Sequence, residues 1–131
     1  MFLTRECDYA VRVVRNLANL EMNTVGSICE RENIPAPFAY KILKKLEHAG
    51  IVKSRRGADG GYQLIKDPES ITLHDIVAAV DKRLFINECL RQDYMCPRNI
   101  NGNSCGVHDE LSRIQDIVVN ALKEKSMYDL V

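Results

Sequence analysis

The chain has no tryptophan, only three phenylalanines and four prolines, and no excess of either charge, with 18 basic residues against 18 acidic ones in 131. With so few prolines and only seven glycines it cannot be a collagen-like or proline-rich chain, and its 46% hydrophobic residues suffice for a core, which excludes disorder as the default. No apolar run approaches the roughly 18 residues needed to cross a bilayer. The longest are pieces such as Ile76-Val77-Ala78-Ala79-Val80, and no membrane association is expected. The opening Met1-Phe2-Leu3-Thr4-Arg5-Glu6 meets charge at once, without the basic, apolar and small-residue regions of a secretory leader. The expectation is a cytoplasmic protein whose five cysteines stay reduced. An odd set of thiols there points to metal binding, reactivity or burial rather than to a disulfide framework.

Zero net charge, taken alone, argues against a nucleic-acid binder, but the average conceals a dipole. Residues 1–66 hold eleven Lys/Arg and seven Asp/Glu, whereas residues 67–131 hold seven and eleven. The stretch 37–66 alone sets seven cations (Lys41, Lys44, Lys45, Lys53, Arg55, Arg56, Lys66) against Glu47 and Asp59. A polyanion would be met by one end of this molecule.

Apolar residues Leu3, Ala10, Val13, Val14, Leu17 and Ala18 recur at three- and four-residue steps, with Thr4 placed as a cap, and predict a helix from Leu3 to Leu20. A shorter helix follows Asn23-Thr24, with Val25, Ile28 and Cys29 on one face, and stops before Asn33-Ile34-Pro35-Ala36-Pro37. Pro37 suits the first turn of a third helix, which runs to about Ala49 with Gly50 as terminator. That helix has two unlike faces: Ala39, Ile42, Leu43 and Leu46 form an apolar stripe, and Tyr40, Lys41, Lys44, Lys45 and His48 share the other side. Two short strands follow around the turn Arg55-Arg56-Gly57-Ala58-Asp59-Gly60-Gly61. Helix, helix, basic helix, basic hairpin is the order of a winged helix-turn-helix.

Asp67-Pro68-Glu69 is a plausible boundary, after which Thr72-Leu73-His74-Asp75 has the spacing of a capping box for a short helix to about Val80. Residues 82–104 have no sustained period, and loops of that length are usually functional or disordered. From Val107 to Lys125 a helical stripe returns, with Leu111, Ile114, Val118 and Ala121 at its centre. One helix cannot bury such a face alone, so it needs its own domain or a second subunit. The expected fold class is mainly α: a winged helix-turn-helix DNA-binding domain over residues 1–66, then a short helix, a loop over about 82–106 and a long C-terminal dimerisation helix over 67–131.

In such a fold the third helix lies in the major groove and the wing reaches the neighbouring minor groove. The residues expected to touch DNA are Tyr40, Lys41, Lys44 and Lys45 on the helix and Arg56, Gly57 and Gly60 in the wing, where glycines allow close approach to a backbone. A row of lysines is also what a solvated helix face looks like; the ordered combination with the wing favours DNA. The loop contributes Cys89, Cys96 and Cys105, followed by His108, in a C-x6-C-x8-C-x2-H arrangement. Structural zinc generally uses tighter pairs, so the wide gaps fit an iron-sulfur cluster better, the alternative being three unliganded thiols. Cys7 and Cys29 fall on helices and read as small apolar side chains. Asp8 near the start of the first helix is favoured by the helix dipole.

The residues Met1-Phe2-Leu3-Thr4, Asp8-Tyr9-Ala10-Val11-Arg12, Ile34-Pro35, Lys41-Ile42-Leu43, Ala49-Gly50-Ile51-Val52, Arg56-Gly57 and Gly60-Gly61-Tyr62, with the three-cysteine loop, closely resemble the Rrf-type winged-helix transcription regulators over nearly the whole chain. The cysteine triplet resembles their iron-sulfur branch, the IscR-like and NsrR-like members, rather than the cluster-free one. The resemblance implies a homodimer, built by the C-terminal helices, on a palindromic operator of double-stranded DNA. It implies a cluster held by Cys89, Cys96 and Cys105, [2Fe-2S] favoured and [4Fe-4S] possible. The fourth ligand is His108 by the IscR-like pattern or the partner's Asp8 by the NsrR-like one. The cysteine gaps here exceed the family's usual spacing. The chain therefore reads as a regulator, expected to be a repressor, whose DNA affinity follows a cluster sensitive to iron, redox state or nitric oxide. It is not an enzyme. Its rivals are a cluster-free regulator acting through a partner or a thiol switch, and a cluster carrier.

Overall fold

The computed structural model describes residues 3–98 and 105–131; Met1-Phe2 of the N-terminal signature, and Gly102 of the loop, lie outside the described residues. Three helices come first: α1 (Arg5–Leu17), α2 (Val25–Glu32) and α3 (Ala36–His48). A hairpin of β1 (Val52–Arg55) and β2 (Gly61–Leu64) follows, then α4 (Leu73–Val80), α5 (Gly106–Glu124) and α6 (Met127–Leu130). Single 3-10 turns occupy Pro68–Ser70 and Glu88–Leu90.

Local chemistry sets most boundaries. The Thr4 and Thr24 hydroxyls accept from the Cys7 and Ser27 amides and start α1 and α2. α1 is shorter than its periodicity predicts, ending at Leu17, because Leu20 takes a positive φ of 64°. Asn33 closes α2 in the left-handed region and Pro35 precedes α3, which makes the tight turn between them. Gly50, at φ 72°, ends α3 while Ile51 N–H donates to the Leu46 carbonyl. The predicted capping box is present, with Thr72 and Asp75 bonded reciprocally. Those hydrogen bonds outweigh burial and hold the Asp75 carboxyl below its ordinary range.

One core joins these pieces. Val13, Val14 and Leu17 of α1 meet Ile42, Leu43 and Leu46 of α3, all fully buried, and each such side chain contributes about 1.5–3 kcal/mol. Ile71, Ile76, Val77 and Val80 belong to the same cluster, as does Met127 of the unpredicted α6, so the core continues across the boundary expected at residue 67. Met127 N–H donates to the Ile71 carbonyl at 2.7 Å, which pins the C-terminal turn beside α4.

The hairpin is held to the body by backbone. β1 and β2 pair antiparallel with Val52 opposite Leu64 and Arg55 opposite Gly61. Asn23, before α2, exchanges backbone hydrogen bonds with Tyr62 at 2.7 and 2.9 Å. Gly61 sits at φ 142° with its α-carbon against the Asn23 carbonyl, and any Cβ there would enter that group. The double glycine thus has a steric cause. Gly61→Ala should cost about 2–4 kcal/mol in urea unfolding and Gly57→Ala, whose Cβ would meet open space, about 1 kcal/mol; equal losses would refute this account of the wing.

Candidate nucleic-acid interface and cysteine pocket

Burial of Ala39, Ile42, Leu43 and Leu46 turns the opposite side of α3 to solvent. Tyr40, Lys41, Lys44 and His48 are exposed there, and Arg56 and Gly57 are exposed at the wing tip. Gly60 sits at the base of the turn, where a Cβ would strike the Arg55 and Gly57 carbonyls. The wing is braced against α3 by Glu47, whose carboxylate accepts from the Ser54 amide at 3.0 Å and hydroxyl at 2.6 Å. Burial first, then the nearby Glu47 charge, pushes the Tyr62 phenol up, which keeps it neutral.

Lys45 departs from the outward face expected of it. Its ammonium donates to Glu6 Oε1 at 2.7 Å and to the Val80 carbonyl at 2.8 Å, joining α1, α3 and the C-terminal end of α4. Glu6 also lies 3.4 Å from the Lys41 ammonium. Helical spacing places Lys45 at the edge of the basic face nearest α1, and an acidic partner plus an unpaired helix-end carbonyl capture it. Nothing in the sequence pairs Lys45 with a residue 39 positions earlier.

The residues expected to be ligands divide. Cys89, Cys96 and His108 line one cavity of about 570 Å³, together with Tyr94, Met95 and Pro97. Cys105 is the N-cap residue of α5, and Asp109 N–H donates to its carbonyl, so Cys105 begins the turn that carries His108. Among the described residues no three His, Cys, Asp or Glu side chains stand close enough to form a metal-binding group. Two thiols and an imidazole nevertheless open into one space, a donor set suited to iron. Asp8 lies elsewhere, paired with Arg12 at 3.0 Å, and lines a separate, largely apolar cavity with Leu3, Leu73, Val77 and Leu122. Cys7 is buried beneath Thr4, and burial pushes the half-buried Cys29 thiol up, which keeps it protonated.

No residue of α5 is fully buried. Leu111, Val118 and Leu122 are half-covered, while Val107, Ile114, Ile117 and Ala121 face solvent. At 100° per residue those four form one contiguous apolar stripe, on which Val107 is 69% and Ile117 54% exposed. By the same spacing Leu111 and Val118 border that stripe, so the four residues expected at a dimer contact share one side of α5, half-covered at Leu111 and Val118 and exposed at Ile114 and Ala121.

A tri-helical unit with an exposed basic third helix and a two-stranded wing defines a winged-helix, DNA-binding transcription regulator, a non-enzymatic class. The chain belongs to the Rrf2 family, described as iron-dependent transcriptional regulators, which it matches over residues 3–131. It is 33% identical to the HTH-type transcriptional regulator IscR of Vibrio campbellii over 136 residues, covering 98% of this chain and 79% of that protein. The structure of T. potens IscR superposes with a TM-score of 0.76 at 22% identity, covering 97% of this chain and 83% of that one. CymR, the global cysteine regulator of B. subtilis, superposes at 0.75 with 25% identity, covering 97% and 93%.

The two kinds of lysine on α3 should separate in stability. Lys45→Met leaves the Val80 carbonyl without its donor and Glu6 with only the longer Lys41 contact, and should cost about 1–2 kcal/mol in urea unfolding, against within about 0.5 kcal/mol for Lys44→Met. Equal effects would contradict the anchoring role.

Proposed function

We propose that this chain is a dimeric transcription regulator whose hold on a palindromic operator depends on an iron-sulfur cluster carried by the segment between α4 and α5. The observation that carries the reading is that Cys89, Cys96 and His108 line one cavity beside the start of α5. Cys89, Cys96 and Cys105 would hold the cluster through their thiolates, with His108 as the fourth donor and [2Fe-2S] as the favoured type. Within one chain Asp8 is turned to Arg12 on another face, so it would serve only from a second subunit. A bound cluster supplies a centre that is lost or altered under iron shortage, oxidants or nitric oxide.

The chain's own residues translate that change. Gln115 of α5 accepts the Ile86 amide at 3.0 Å, and the Glu88–Leu90 turn packs on α5, so the cysteine segment bears directly on that helix. The same segment begins one residue beyond Val80, whose carbonyl Lys45 grips from the recognition helix. The exposed stripe of α5, Ile114 and Ile117 at its centre, would pair with that of a second copy and set two α3 helices about 34 Å apart, one helical turn of DNA. On each half-site Tyr40, Lys41 and Lys44 would enter the major groove and Arg56 the minor groove. On an operator that overlaps a promoter, occupation by both subunits would exclude polymerase, so the proposed outcome is repression.

A cluster-free regulator is the second reading, favoured by the absence of a preassembled donor group among the described residues. Protein purified without oxygen separates the two. Iron and a visible spectrum are expected in the wild type, in Cys7→Ala and in Cys29→Ala, with iron lost or loosely held in Cys89→Ala, Cys96→Ala and Cys105→Ala. His108→Ala should perturb the spectrum; a disturbance confined to Asp8→Ala would transfer the fourth position to the partner's aspartate. A colourless, iron-free wild type would establish the cluster-free reading.

A further inference from the structure

An open cleft of about 990 Å³ lies between α3 and the residues that follow α4. Lys41, Lys44 and His48 line its recognition-helix side, and Lys82 and Arg83 line the other. Its three acidic residues are engaged within the protein: Glu6 by Lys45 and Lys41, Glu47 by Ser54, and Asp81 by the Arg83 amide at 2.9 Å with the guanidinium 3.5 Å away. Lys44 and Lys82 have no ion-pair partner among the described residues, and the Arg83 side chain is 79% exposed despite its contact with Asp81. The cations therefore stand in solvent on both walls of an open trough, and one wall is the helix that faces the groove.

That arrangement selects among anions. A small anion needs donors that converge and exclude water, because a single exposed ion pair is worth little. Cations spread along an open trough suit a repeating polyanion, which gains by releasing a condensed counterion at each phosphate neutralised. We propose that Lys82 and Arg83 clamp the DNA sugar-phosphate backbone beside the recognition helix, adding two contacts from outside the winged helix. The inference rests on the DNA-binding reading and extends it. Contacts of this kind carry no base information, so they raise affinity and leave sequence preference unchanged.

The test is the salt dependence of binding to a labelled mixed-sequence duplex of about 30 base pairs, since each lost phosphate contact lowers the slope of log K against log salt by about 0.9. Both side chains are exposed, and Lys123 and Lys125 near the end of α5 provide a charge-matched control outside the cleft. Lys82→Ala/Arg83→Ala should lower the slope by about 1.8 for each subunit on the duplex, about 3.6 for a bound dimer, and Lys123→Ala/Lys125→Ala should leave it unchanged. An unchanged slope in the cleft variant, or an equal fall in the control, would overturn the clamp. A wild type that binds no duplex would overturn the DNA-binding reading and the clamp together, and is told apart by the wild-type titration itself.

Discussion

Burial of one stripe of α3 governs the rest of the structure. Once Ala39, Ile42, Leu43 and Leu46 are committed to the core against α1, the helix cannot rotate, and Lys41, Lys44 and Tyr40 have nowhere to face but solvent. The stripe is worth several times any surface ion pair, so it sets the orientation and the charges follow. Lys45 then fixes the residual freedom by binding Glu6 and the Val80 carbonyl, which registers α3 against both α1 and the end of α4. The wing is placed from two sides, by Glu47 of the same helix and by the backbone pair of Tyr62 with Asn23 before α2.

This geometry puts the two halves of the proposed function within reach of each other. The segment bearing Cys89 and Cys96 leaves α4 where Lys45 holds it and returns to α5 through Cys105, so a rearrangement of the segment bears on both the recognition helix and the exposed stripe of α5. Among its described residues the segment is held by light contacts: Gln115 accepts one amide, Leu84 is only partly buried against the core, and Arg91 makes surface pairs with Glu88 and Asp93. A segment whose own contacts are this weak can be ordered by ligation, because binding energy need not overcome a packed core. An iron-dependent family and a donor set of thiols and imidazole point the same way.

The elements were legible in the sequence wherever their cause is local. Thr4, Thr24 and the Thr72–Asp75 box act within three residues, Gly50 within one turn, and the double glycine of the wing marks a backbone contact that tolerates no side chain. The fate of Lys45 was not legible, because its partners come from two other helices and a main-chain carbonyl carries no residue identity. The same holds for α6, whose four residues depend on Met127 finding Ile71, and for Lys82 and Arg83, which gain meaning only when folding sets them across a cleft from α3. Of the residues that the cysteine spacing singled out, Cys89, Cys96 and His108 line one cavity and Cys105 begins the helix that carries His108, while Asp8, beside Arg12 in α1, stands apart from them.

The central claim is that the state of the cysteine segment sets how well the winged helix holds DNA. The most direct measurement is the affinity of one oxygen-free preparation for the duplex it selects most tightly from a random-sequence pool, before and after a chelator strips its iron, at a single salt concentration. A coupling free energy in the usual range of about 1–3 kcal/mol predicts a change of about 5- to 150-fold between the two states. Equal affinity in an iron-loaded and an iron-stripped protein that remains folded would contradict it.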